Sequence, residues 1–227
     1  MLSNRRLAAL VALSALTLVA ISGCGGGNKT SAAKTGSTAS PSSSTSQTYT
    51  SRAFVVPLTV TVDPSLESPP TIDSQNFLSW DSASGSEKIR FLVPVKLYRP
   101  GSSTPEPPPR TYQKYLKYLR GQTKYSVKFS KVSKTTVGGR PAMLMTATSD
   151  TLKVTPNSMG GSLGCATLTA KVGFEGCFGI VPDLILRLAV VDVDGTPLLA
   201  WARTLKDNPN EAFFSVFDRM LTTVRFR

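Results

Sequence analysis

Apolar and polar side chains divide the chain into three regimes. An unbroken apolar run, LAALVALSALTLVAI, fills residues 7–21, and residues 25–51 carry almost no apolar side chains. From 52 onward apolar positions alternate or recur with a helical period. In AFVVPLTVTV, residues 53–62, the alternation through Leu58, Val60 and Val62 predicts a strand, with Pro57 at an edge or bulge. Residues 63–75, rich in proline and serine, read as a loop. In KIRFLVPVKLY, residues 88–98, Ile89, Phe91, Val93, Val95 and Leu97 share one face and predict a second strand, which the prolines of 99–109 end. The period then changes. Tyr112, Tyr115, Leu116 and Leu119 stand at i, i+3, i+4 and i+7, predicting an amphipathic helix over 111–120 closed by Gly121.

Two hairpins follow from turn chemistry. Residues 125–137 and 140–149 flank Gly138-Gly139, and residues 184–193 and 196–204 flank Asp194-Gly195; both dipeptides supply the positive φ that two-residue turns need. A closing helix is predicted to start with Asn208 as N-cap, Pro209 at N1 and Glu211 at N3. Its stripe of Phe213, Phe217, Met220 and Val224, with Phe214 and Leu221 alongside, must lie across a sheet. This order of elements predicts an α+β fold, an antiparallel β-sheet covered by helices in one domain over 52–227.

At the amino end, Arg5 and Arg6 precede the apolar run, as in a secretory signal. As a helix the run would rise about 22 Å, short of the roughly 30 Å hydrocarbon core. Ile21-Ser22-Gly23-Cys24 follows directly, and this segment resembles the lipobox of bacterial lipoproteins. The resemblance implies a signal peptide over 1–23, cleavage before Cys24, and a diacylglycerol on the Cys24 thiol, with acylation of the new amino terminus in many bacteria. Two or more acyl chains hold a protein firmly where one holds it marginally. The expected location is the extracytoplasmic face of the cell membrane, lipid-anchored. Residues 24–51 then form a Gly/Ser/Thr-rich flexible tether, with an end-to-end distance of about 29 Å.

Composition narrows the chemistry. The 227 residues contain no histidine, which removes Ser-His-Asp and Cys-His catalysis and histidine-containing zinc sites. Gly160-Gly161-Ser162-Leu163-Gly164 fits the G-x-S-x-G pattern, but without a histidine or a strand-turn-helix context it reads as a flexible loop. Asp192-Val193-Asp194-Gly195 lacks the remaining ligands of a calcium loop and reads as the hairpin turn. Ser31 and Lys34 match a serine-lysine spacing, in a tether that fixes no geometry. No metal, cofactor or enzymatic activity is expected. With Cys24 committed to lipid, Cys165 and Cys177 remain, and an exported domain favours their pairing as a disulfide.

Charge supplies the candidate site. Residues 52–227 carry 22 Lys and Arg against 14 Asp and Glu, and residues 110–140 carry nine cations and no acid. Arg110, Lys114, Lys117, Arg120, Lys124, Lys128 and Lys131 are the candidate binding residues, joined by Lys134 and Arg140. Such a face suits anionic headgroups, wall polymers or an acidic protein, with salt weakening the contact, while the compartment disfavours nucleic acid. Trp80, the helix around YLKYL at 115–119, the hairpin TVGGRPA at 136–142 and the ending MLTTVRF at 220–226 together resemble PsbP-like domains. That resemblance covers about 77–227 and implies an α/β/α sandwich with a binding or assembly role and no shared catalytic set; the insert bearing Cys165 and Cys177 departs from it. Two functions remain open: a tethered binding or accessory module, and a carrier enclosing a lipid or other apolar ligand. Oligomeric state is not fixed by the sequence.

Overall fold

The computed structural model describes residues 45–150, 159–171 and 176–227, so the signal segment, Cys24 and most of the tether lie outside the described residues. The chain opens with strands β1 (Gln47–Thr50), β2 (Leu58–Val62), β3 (Ile72–Ser74), β4 (Phe77–Asp81), β5 (Lys88–Leu92), β6 (Leu97–Tyr98) and β7 (Pro105–Glu106). Helix α1 (Tyr112–Arg120) and a 3-10 turn (Gly121–Tyr125) lead into β8 (Val127–Val137) and β9 (Arg140–Ser149). After these come β10 (Gly161–Cys165), β11 (Cys177–Ile180), β12 (Leu184–Val193), β13 (Thr196–Leu205), helix α2 (Glu211–Thr223) and β14 (Arg225–Phe226). Seven strands form the central antiparallel sheet in the order β3-β4-β5-β13-β12-β9-β8. Smaller sheets are β1-β2-β14, β10-β11 and β6-β7.

Alternation along the long strands sends side chains to two separate cores. On one face Trp80, Ile89, Phe91, Ala189 and Val191 meet Phe213, Phe217 and Met220 of α2 and Leu58, Val60 and Val62 of β2. On the other, Met145, Leu188, Val190, Leu199 and Trp201 meet Tyr115, Leu116 and Leu119 of α1, with Leu163 of β10 and Ile180 next to them. Each fully buried aromatic such as Phe217 contributes roughly 2–3 kcal/mol relative to exposure.

This arrangement corrects the predicted helix-covered α/β/α sandwich and with it the PsbP-like architecture. Fourteen strands stand against two α-helices among the described residues, and the protein is a β-rich antiparallel fold. The reason is one of area. A nine-residue helix is about 14 Å long, whereas seven strands span about 29 Å. The β1-β2-β14 sheet therefore shares one face with α2, and the β10-β11 pair shares the other with α1.

Individual elements differ as well. The strand predicted over 53–62 shortens to β2, because the chain before Pro57 turns to receive Leu58 N–H on the Ser51 hydroxyl. Pro94 breaks the strand predicted over 88–98 into β5 and β6, and β7 pairs with β6 inside the proline-rich stretch. The polar segment taken as tether ends earlier than 51, since Gln47–Thr50 pair with β2. The α2 cap is Asn210, two residues beyond the expected Asn208, and its side chain accepts from Phe213 N–H. Both hairpins form as predicted, with Gly138 and Gly139 at φ 55° and 76° and Asp194 and Gly195 at 51° and 87°. Cys165 and Cys177 face each other across β10-β11 and are bonded.

Candidate functional site

Helix α1 starts at Thr111, whose hydroxyl accepts from Lys114 N–H, and ends in a turn that carries Lys117 and Arg120, charges that suit its carboxyl terminus. Its buried face anchors it to the sheet: the Tyr115 hydroxyl donates to the Leu163 carbonyl and the Tyr118 hydroxyl to the Ser162 carbonyl at 3.3 Å. Burial pushes the Tyr115 phenol well above its ordinary pKa and Tyr118 up to about 12, so both stay protonated donors. The exposed face points away from this contact and carries Lys114, Lys117 and Arg120.

Between α1 and the outer end of the β8-β9 hairpin lies an open groove of about 830 Å³. Tyr112, Leu116, Pro141, Ala142 and Met143 make its apolar floor, and Lys117, Arg120 and Lys134 line it without any acid among the lining residues. The Arg120 guanidinium reaches the Met143 sulfur at 4.0 Å, which holds it along the wall. Burial raises the Tyr112 pKa, and the charge of Asp192 adds to the effect. A second groove of about 290 Å³ runs along the other flank of α1, between Lys114, Lys117 and Lys124 and the rings of Tyr118 and Tyr125. The Lys124 ammonium stands 4.9 Å from the Tyr125 ring centroid. Lys117 borders both grooves.

The predicted basic face is thus partly assembled and partly dispersed. Lys114, Lys117, Arg120 and Lys124 share the α1 ridge with Lys134 across the groove. Lys128 points instead to Asp150 and Lys131 to Glu211 at 3.4 Å, so both are neutralised away from the groove. Arg110 lies beside Pro108, Pro109 and Pro197, off the ridge. Lys131 sits at the β8 bulge with φ 50°, which breaks the run of charges on that strand. Arg140 pairs with Asp194 across the hairpin ends at 2.7 Å.

The G-x-S-x-G segment is a correction to the loop reading: it forms β10, buried throughout, and Ser162 is 1% exposed. Its glycines answer to crowding. A Cβ at Gly161 would stand 2.8 Å from the Gln122 oxygen, and one at Gly164 2.7 Å from Pro94. Gln122, which the sequence did not single out, holds this strand: its amide donates to the Ser162 carbonyl at 2.9 Å and accepts from the Ser162 N–H.

Among the described residues no helix is long and apolar enough to cross a membrane. No family model matches the chain, and no curated protein matches it. Among solved structures, a crystal structure of a protein from Bacteroides thetaiotaomicron VPI-5482 at 1.50 Å resolution aligns with 75% of this chain at 8% identity and a TM-score of 0.35. The alignment spans 45% of that protein's length.

Proposed function

We propose that the protein is a lipid-anchored envelope module that binds an anionic amphiphile, foremost an acidic phospholipid headgroup, in the groove beside α1. The observation that carries this reading is the pairing of an apolar floor with the cations Lys117, Arg120 and Lys134. Such a surface takes a ligand that presents charge and hydrocarbon side by side. The groove volume falls in the range of small-ligand sites. Filled cores on both sheet faces favour a surface groove over a carrier that encloses its ligand. The lipobox at Cys24 and the Cys165–Cys177 bond agree with an oxidising compartment beside a membrane. The reading is one of binding, with no catalytic step.

The test is retention of the domain by vesicles of phosphatidylglycerol and of phosphatidylcholine at low and high salt. Retention is expected on the acidic vesicles alone, falling as salt screens the groove. Lys117→Glu with Lys134→Glu should abolish it, and Lys128→Glu with Lys131→Glu should leave most of it. Equal loss in both variants would mean that net charge, and not the groove, drives the attraction.

A further inference from the structure

On the α1 face of the central sheet, remote from the groove, three cations occupy adjacent positions. Arg203 of β13 stands opposite Lys88 of β5, and Arg90 is two residues along β5 from Lys88, opposite Trp201. Arg90 and Arg203 are therefore diagonal neighbours, about 7–8 Å apart at the backbone. Lys88 is bonded to Asp81, its cross-strand partner on β4. Among the described residues no carboxylate pairs with either arginine, and the Nε of each is buried without a hydrogen-bond partner. Asp81, whose charge also reaches Arg90 and Arg203, is the one acid set against three cations, so the cluster keeps an excess of two positive charges on a partly buried surface.

That arrangement is costly for the folded chain alone. Removing part of a charge from water without a bonded partner is destabilising, and two like charges on neighbouring strands add repulsion. Burial, followed by the charge of Arg203, lowers the pKa of Arg90 to about 10. Aromatic rings relieve only part of this. The Arg90 guanidinium lies 5.0 Å from the Phe178 ring centroid and 5.7 Å from that of Phe77, which are themselves stacked at 4.5 Å. These rings fix the plane of Arg90, while no ring contact of this kind serves Arg203 among the described residues. Buried groups of this kind call for an explanation, and a ring-held Arg90 fork with a second arginine beside it matches an oxyanion that accepts from both.

We propose that Arg90 and Arg203 form a binding site for a phosphoryl group. A phosphate dianion would balance the excess of two positive charges that Lys88, Arg90 and Arg203 keep over Asp81. The nearest strands of the two sites, β13 and β9, are two spacings apart, about 10 Å across the sheet, and Arg203 registers through Leu186 with Ala147, whereas the groove draws on Pro141, Ala142 and Met143, about 13–20 Å further along β9. The arginine site is a second recognition point, independent of the groove's ligand.

The experiment titrates the folded domain with inorganic phosphate and, in a second arm, with glycerol phosphate, at constant ionic strength set by chloride, following backbone amide shifts. Saturable shifts at residues of β5 and β13 are expected. Tighter binding of the ester than of the free ion would assign the phosphoryl group to a larger ligand, and the reverse would assign it to free phosphate. Arg203→Met, which leaves the Arg90 ring contacts in place, should weaken binding at least about tenfold while unfolding in chloride at the same or higher urea concentration. Phosphate shifts that persist in Arg203→Met, a linear response without saturation, or marked destabilisation of that variant in chloride would each overturn the proposal.

Discussion

Gln122 is the side chain whose removal tests the packing of β10 most sharply. It is 1% exposed, and its two amide atoms complete both backbone hydrogen bonds of Ser162, standing in for a neighbouring strand. Gln122→Leu keeps the approximate volume and removes both bonds. The Ser162 carbonyl retains the Tyr118 hydroxyl at 3.3 Å, so the main penalty falls on the Ser162 N–H, buried without an acceptor. The unsatisfied buried N–H costs about 1–3 kcal/mol and the lost bond to the Ser162 carbonyl about 1 kcal/mol, which gives about 2–4 kcal/mol in all. Urea unfolding with an unchanged m-value is the assay. Gln122→Glu adds a pH signature. As a carboxylate it still accepts from Ser162 N–H but repels the Ser162 carbonyl, whereas the protonated acid reproduces the amide's donor and acceptor. The folded pKa of this glutamate is thereby raised, so the variant should be weak at neutral pH and recover toward the parent as pH falls to about 5. A Leu variant within about 0.5 kcal/mol of the parent, the range of ordinary surface changes, would refute the reasoning. So would a Glu variant whose deficit ignores pH.

Removing the Cys165–Cys177 bond by paired Ala substitution opens a loop with sequence separation 12 and should lower stability by about 3 kcal/mol in the chain-entropy treatment, read as a drop in the urea midpoint; an unmoved midpoint would rule out a structural role. Glu87 docks the start of α2 by accepting from the Asn210 amide at 2.9 Å, and this bond, followed by that from Ser82, holds its carboxyl down at about 2. A lowered folded pKa contributes stability above the ordinary carboxylate range and loses it as pH falls from there toward about 2, so Glu87→Gln should flatten the acid limb of the stability profile, and an identical limb in both proteins would count against this contact. Asn210→Ala should cost about 1 kcal/mol through loss of the cap to Phe213 N–H, measured by thermal unfolding.

What the sequence made readable was local. The Asp194-Gly195 and Gly138-Gly139 turns, the α1 stripe and the disulfide pair each depend on residues close together in the chain, and turn chemistry or period reports them directly. What it hid was lateral. Phe77–Asp81 forms a strand between two neighbours with no apolar-polar alternation to announce it, because Ser79 also faces a buried surface. The coverage of the sheet by β1-β2-β14 and β10-β11 depends on the β2-β14 pairing and on packing against strands distant in the chain, for which no period exists. The candidate site divides in the same way. Four cations of the basic stretch share the α1 ridge because Lys114, Lys117 and Arg120 recur every third residue on one helix and Lys124 follows in the 3-10 turn, whereas Lys128 and Lys131 find acids from other segments, Asp150 and Glu211. Arg90 and Arg203 stand 113 positions apart, and only the β5-β13 register makes them neighbours.

The small β1-β2-β14 sheet also determines how the body would bear a pull. Both the first and the last described strands pair with β2, and Arg227 N–H donates to the Pro57 carbonyl at 3.1 Å. Tension arriving through residue 45 is directed along the axis of β1, so its four residue pairs with β2 are sheared together and do not unzip one by one. Tyr49, bonded to Asp73 and set edge-on against Trp80, acts as a peg against sliding. Under the proposed lipid anchor, the body would thereby be fastened through a dedicated strap, β1, which is not a member of the seven-stranded sheet.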